Sequence, residues 1–422
     1  MFKKHIRREG TQNFLRLFSS SVLVQGIALL LSPLFARLFT PADFGLAALY
    51  LGIFSVLSVL GTAKYEQAIM LARSDKAARS LFWLVQIISI CFALLVLIAI
   101  IFSGGFFVAL SGNAQLRAWL WLMPLSLLMH GLFQAANFYS NRNKQFGIMA
   151  QGTLVQHAAL NLSRVAAGLQ GTWFNGLLAS QILGQVAGAC FMVLRTGKGL
   201  FSNDGAFSAQ SIKEQAQIFS VYPRFNTLLN LTNNLSGALP IFMFTRGFSA
   251  EAAGLYAFGY ALVFRPLSLL SQSILQVLSQ KIIAEHNKGK NILTPLKELV
   301  NKLFWVGIGP FTLLALMAPS LFNIVFTQQY AMAGTFVQIL SPWLFMVYLT
   351  SPLSFIPELF FKQKKAMIID MVYLGLRFGA LAFGIWQQNL WLSVWLFGGV
   401  SFGVVAFNLF WYLSLASRPQ KA

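Results

Sequence analysis

Apolar stretches of about 20 residues recur along the whole chain, separated by short polar breaks. A helix rises about 1.5 Å per residue, so each stretch is long enough to cross a hydrocarbon core of about 30 Å. The pattern predicts twelve membrane spans, at roughly 14–39, 43–63, 80–103, 117–138, 147–169, 174–194, 218–244, 252–279, 299–322, 335–357, 367–387 and 390–416. The longest polar break, about 195–217, is too short to fold alone. The expected fold class is all-α, a polytopic membrane protein without a soluble domain.

The spacing also contains a repeat. Arg37-Leu38-Phe39-Thr40 followed by Gly45-Leu46 matches Arg246-Gly247-Phe248-Ser249 followed by Gly254-Leu255, without a gap, at an offset of 209 residues. Each segment falls at the turn between the first and second helix of a six-helix half. An even number of crossings returns the chain to its starting side. The halves, 1–200 and 201–422, are therefore expected to be two pseudo-symmetric six-helix bundles related by an axis along the membrane normal.

Composition agrees: 57% of the 422 residues are hydrophobic and only 10% are charged, against about a quarter charged in soluble domains. The net charge of +20 would suit a nucleic-acid partner, but its distribution argues against one. Lys3, Lys4, Arg7 and Arg8, then Lys64, Arg73, Lys76 and Arg79, then Arg142 and Lys144 mark the first basic loops. Arg195, Lys198 and Lys213, then Lys281, Lys288, Lys290 and Lys297, then Lys362, Lys364 and Lys365 continue them, with Arg418 and Lys421 at the end. The intervening loops hold only Arg37, Arg117 and Arg246. This alternation is the positive-inside pattern, and it puts both termini in the cytoplasm. Ser19, Ser20, Ser21 and Gln25 interrupt the first apolar run, which reads as a retained helix rather than a cleaved leader. Cys91 and Cys190 have no metal or disulfide spacing and are expected to pack as small hydrophobes.

Topology leaves six cations unexplained: Arg16, Arg164, Arg224, Arg265, Lys302 and Arg377 lie within apolar stretches, and Asp370 is the only carboxylate clearly among them. A cation in the bilayer costs several kcal/mol, so such residues tend to face a wet cavity or a polar ligand. A basic lumen poor in carboxylates suits an anionic passenger. Arg377 and Arg265 fall near mid-bilayer, and Arg164 lies toward the outer end of its helix. Arg16, Arg224 and Lys302 are close enough to the cytoplasmic face to snorkel.

Other polar positions form patterns. Asp370, Tyr373 and Arg377 make one stripe on a helix. Asn226, Asn230, Asn233 and Asn234 share a helical face that could line a cavity and bind sugar hydroxyls, or hold helices together. Lys64 and Glu66 at the exit of the second span could pair, or Glu66 could act as a gate or proton site. His130 and His157 sit in spans four and five and could titrate or simply bond across helices. Pro240 and Pro266 could allow kinks on either side of the next turn.

Several motifs together resemble the bacterial polysaccharide flippases of the multidrug/oligosaccharidyl-lipid/polysaccharide exporter superfamily, over nearly the full chain. They are Thr40-Pro41-Ala42-Asp43-Phe44-Gly45, Lys64-Tyr65-Glu66-Gln67-Ala68-Ile69, Asn141-Arg142-Asn143-Lys144-Gln145-Phe146 and Tyr222-Pro223-Arg224. Ala253-Gly254-Leu255-Tyr256-Ala257, Pro266-Leu267-Ser268-Leu269 and Ser351-Pro352-Leu353-Ser354 complete the set. The resemblance implies a V-shaped pair of bundles in the bacterial inner membrane. It implies movement of undecaprenyl-diphosphate-linked oligosaccharides between leaflets, for O-antigen or other surface polysaccharide.

On that reading Arg224, Arg265, Arg377, Arg16, Arg164, Asn230 and Asn234 are candidates for substrate binding. Asp370 and Glu66 are candidates for proton or sodium coupling, and no cofactor is expected. Relatives often carry Arg where this chain has Ala261; Arg265 lies one turn further along. The implied partners are the lipid-linked glycan, the bilayer, a polysaccharide polymerase and a chain-length regulator. A drug/cation antiporter of the same superfamily would need an acidic cavity. A polymerase would need a large outer loop, and a glycosyltransferase an acidic soluble site.

Overall fold

Most of the predicted apolar runs become single long helices in the computed structural model, which describes the backbone of residues 2–171, 175–200, 205–286, 288 and 291–417. Side chains are described over the same residues except 2–18, 106–111, 198, 276–277 and 280–281. The long helices are α1 (Phe2–Leu38), α2 (Pro41–Thr62), α3 (Asp75–Ser111), α4 (Met123–Arg142), α5 (Phe146–Leu169) and α6 (Gly176–Leu200). The second set is α7 (Thr227–Gly247), α8 (Ala250–His286), α9 (Leu293–Val325), α10 (Ala331–Thr350), α11 (Gln363–Trp386) and α12 (Leu390–Ala416). Among the described residues, nine helical segments are apolar enough to be spans by composition alone. The helices that fall short, α4, α5 and α7, carry His130, His157 and the asparagine face.

The chain divides into two compact units, Met1–Ala238 and Leu239–Ala422. Their internal packing follows one plan. In the first, α4 packs on α2, α3 and α6, and α5 packs on α6 and α1. In the second, α10 packs on α8, α9 and α12, and α11 packs on α12. At the remaining equivalent pair, a side chain at Gly247 of α7 would run into Ile385 of α11.

The repeated turn has a local cause in both units. Thr40 caps α2 in a capping box with Asp43, whose carboxylate accepts from the Thr40 backbone at 2.9 Å. Ser249 accepts from the Ala252 backbone at 3.0 Å and caps α8 with the first half of that box, Ala252 having no carboxylate to return the bond. These caps satisfy amides that a helix start leaves open.

Three segments differ from the sequence pattern. The expected loop at 195–217 is largely helical: α6 runs on to Leu200, and Ala209–Ile218 is a second helix, capped by Ser208 accepting from Ser211. The fourth span is broken into Leu116–Leu120 and α4, where Pro124 opens the longer piece. The seventh begins with a separate π-helical turn, Tyr222–Asn226, before α7 proper. Cys91 and Cys190 are exposed rather than packed. Cys91 shares its stretch of α3 with the exposed Ile90, Leu94, Leu95 and Ile98, the composition of a lipid-facing surface.

Candidate functional site

The exit of α2 is locally strained. Ala63 (φ 47°) and Lys64 (φ 60°) are consecutive left-handed residues, and neither is glycine. Each such residue costs roughly 1–3 kcal/mol, so its surroundings must hold it in place. The 3₁₀ turn that follows, Tyr65–Leu71, supplies that hold. Ala68 and Ile69 are fully buried in a core with Leu81, Phe82, Ala135 and Tyr139. The Tyr65 hydroxyl donates to the Ala216 carbonyl at 3.0 Å.

The strained turn sets Lys64 against Glu66, with Nζ 3.6 Å from Oε1. Glu66 is 2% exposed, and its Oε2 has no hydrogen-bond partner among the described residues. A buried carboxylate with one oxygen lacking a hydrogen bond is costly to keep in place. His130, on α4, sits edge-on to Phe54 at 5.4 Å between centroids.

The π-turn ahead of α7 docks against this segment. Pro223 lacks an amide hydrogen, which favours a break in the regular ladder, and π-turns concentrate at functional sites. Arg224 projects from the turn and is exposed. Its charge reaches Tyr65, whose phenol burial pushes above the ordinary value while Arg224 pulls it back. The Asn226 side chain donates to Gln67 Oε1 at 3.1 Å. Asn230 donates to the Asn226 carbonyl at 2.7 Å, and Asn234 donates to the Ser55 carbonyl on α2 at 2.7 Å. Two of the four asparagines therefore fasten the start of α7 to α2 and its exit turn, whereas Asn233 stands exposed.

The second unit holds a different arrangement. Arg377 is 6% exposed. Its guanidinium lies 4.2 Å from the Tyr373 ring centre, 4.8 Å from Phe397 and 5.0 Å from Trp343. Its Nε donates to Ser401 Oγ at 3.1 Å. One cation thus joins α10, α11 and α12 through stacking and a hydrogen bond. Asp370, two turns earlier on α11, is partly buried. Arg265 is exposed on α8, directly before Pro266.

The remaining candidates fall elsewhere. Arg164 lies over the Phe35 ring at 5.7 Å and links α5 to α1. Lys302 is exposed on α9. The Arg16 side chain lies outside the described residues. Gln67, Ser55, Trp343 and Ser401 were not anticipated as partners. Nothing local marks Ser55 or Ser401, since serine is common in these helices, but Gln67 sits beside the Lys64–Glu66 pair in sequence.

Residues 34–334 match a protein-family model described as polysaccharide biosynthesis protein. No curated protein matches the chain in sequence. Among solved structures, the lipid II flippase MurJ in an inward closed conformation is similar with a TM-score of 0.73 at 14% identity, over 96% of this chain and 90% of that one. An inward-facing multidrug resistance MATE family transporter of the MOP superfamily is similar at TM-score 0.66 and 11% identity, over 96% and 94% of the two chains. A MOP superfamily transporter from Pyrococcus furiosus, reported with a binding pocket of reversed polarity, gives 0.59 at 12% identity over 96% of both. The fold is that of these transporters.

Proposed function

The chain belongs to the polysaccharide biosynthesis protein family, and from that premise we propose that it is a flippase for undecaprenyl-diphosphate-linked oligosaccharides. It carries repeat units from the inner to the outer leaflet of the bacterial cytoplasmic membrane, with both termini inside, for O-antigen or another surface polysaccharide. The two halves, 1–200 and 201–422, alternate access by moving against one another. The likeness to a lipid II flippase supports a lipid-linked glycan as cargo.

The observation that carries the mechanism is the docking of the Arg224 turn onto the Glu66 turn through Gln67 and Asn226. Arg224 and Arg265, both exposed cations, contact the diphosphate or acidic sugars; guanidinium suits bidentate contact with phosphate oxygens. Asn230 and Asn233 add amides for sugar hydroxyls. Glu66 couples transport to protons. When it is protonated, the charge attraction to Lys64 is lost, the strained turn relaxes, and the Arg224 turn attached to it moves. Arg377 holds its three helices as a unit rather than meeting the cargo, and Asp370 is a second coupling candidate.

A deletion strain tests the assignment. The expected result is loss of surface polysaccharide, with undecaprenyl-linked repeat units accumulating on the cytoplasmic side. Single repeat units still reaching the surface would instead identify a polymerase. Unchanged polysaccharide with heightened drug sensitivity would identify an antiporter.

A further inference from the structure

Where α11 begins and α12 ends, a cavity of about 430 Å³ is lined by Phe361, Lys362, Lys364, Lys365, Ile368, Trp411 and Leu415. Three of its side chains are cationic, and the neighbouring carboxylates Glu358 and Asp370 are not among the lining residues. The Lys365 ammonium lies 5.2 Å from the centre of the Trp411 ring. Phe361 is left-handed (φ 53°) and 87% exposed. Its backbone is fixed by the Glu358 carbonyl accepting from Phe361 and the Pro357 carbonyl accepting from Lys362 at 2.7 Å. A bulky residue in that conformation is uncommon and is retained where something specific depends on it.

A second, apolar cleft of about 240 Å³ adjoins the first through Ile368. It runs between α11 and α12 and is lined by Ile368, Ile369, Val372, Gly403, Val404 and Phe407. A side chain at Gly403 would meet nothing within 4 Å, so the glycine keeps the cleft open. The cleft opens sideways: Ile368, Val372 and Phe407 are about half exposed, on a surface that a bilayer would cover.

A cationic chamber joined to an apolar cleft has the shape and chemistry of a phosphate head with a hydrocarbon tail. We propose that this is a binding site for an anionic membrane phospholipid, its phosphate held by Lys362, Lys364 and Lys365 and one acyl chain laid in the α11–α12 cleft. Lysines near a membrane surface each contribute about 1 kcal/mol to holding anionic lipid. The site lies wholly within the second unit and does not depend on the identity of the cargo.

Native mass spectrometry of the purified full chain tests this, with phosphatidylglycerol and phosphatidylcholine of identical acyl chains. The wild type is expected to retain one phosphatidylglycerol in preference to phosphatidylcholine. The triple variant Lys362→Gln, Lys364→Gln, Lys365→Gln should retain it at least about tenfold less, three lysines being removed. Gly403→Leu, whose Cβ would meet nothing within 4 Å, should also weaken retention while leaving the lysines in place. Thermal unfolding close to wild type shows that each variant folds. Equal retention by the triple variant, or equal retention of phosphatidylcholine, would overturn the proposal. So would displacement of phosphatidylglycerol by undecaprenyl diphosphate at equal concentration, which would make the chamber a cargo site.

Discussion

The Asn226 amide donates a 3.1 Å hydrogen bond to the Gln67 side chain, 159 positions away in sequence. That bond joins the strained exit of α2 to the π-turn that presents Arg224. It links the Lys64–Glu66 ion pair to an exposed cation through only a few covalent and hydrogen bonds. If the link transmits motion, both residues should matter together. A double-mutant cycle with Asn226→Ala and Gln67→Ala is expected to show a coupling of about 1 kcal/mol in stability, the usual net value of a partly buried hydrogen bond. Transport by each single variant should fall about as far as transport by the pair.

Glu66 should be separable from the scaffold around it. Glu66→Gln keeps the shape and removes the charge, and the Lys64 ammonium left behind is 16% exposed, so the loss of stability should fall well short of that on removing Lys64. Transport should nevertheless fall at least tenfold and lose its dependence on a pH gradient. Lys64→Ala should behave in the opposite way, costing about 3 kcal/mol or more because it leaves a buried carboxylate without its partner. Thermal unfolding and transport measured on the same preparations distinguish the two effects.

Arg377 is enclosed by rings, so its volume should matter more than its charge. Arg377→Ala is expected to cost about 2–4 kcal/mol by leaving a cavity. Arg377→Met, which refills the space, should cost clearly less and keep most of the transport. Equal loss of transport in the alanine and methionine variants, at equal amounts of folded protein, would show that the guanidinium meets the cargo directly.

The paired caps give a test of the internal repeat. Thr40→Ala and Ser249→Ala should each destabilise by about 1 kcal/mol, the usual value of an N-cap side chain. Thr40→Ala should be the costlier, because it also frees the Asp43 carboxylate from the Thr40 hydroxyl, 2.8 Å away. Thermal unfolding of the purified variants reads both.

The helices were legible because a span of apolar residues has few alternatives in a membrane, and the repeat was legible because both copies keep a capping residue before a glycine. Ala209–Ile218 was hidden because its pattern is polar and brief, and its start is marked only by Ser208. The left-handed Ala63 and Lys64 left no signature, since glycine is the usual sign of that conformation and neither position has it. The asparagine face was visible, but its division between helix fastening and open amides was not. Asn226 and Asn233 look alike in sequence; only the approach of Gln67 makes them different. Arg377 was visible as an intramembrane cation, while its enclosure depends on Trp343, Phe397 and Ser401 arriving from two other helices.

Movement of a diphosphate-linked glycan lipid across the bilayer by way of Arg224 can be measured on the purified protein. Proteoliposomes loaded with undecaprenyl-diphosphate-linked oligosaccharide, with glycan in the outer leaflet read by an impermeant lectin, test it most directly. Wild-type protein is expected to equilibrate the lipid far faster than empty vesicles, and Arg224→Ala to slow this at least tenfold while remaining folded. Equilibration no faster than in empty vesicles, or an Arg224→Ala rate equal to wild type, would contradict it.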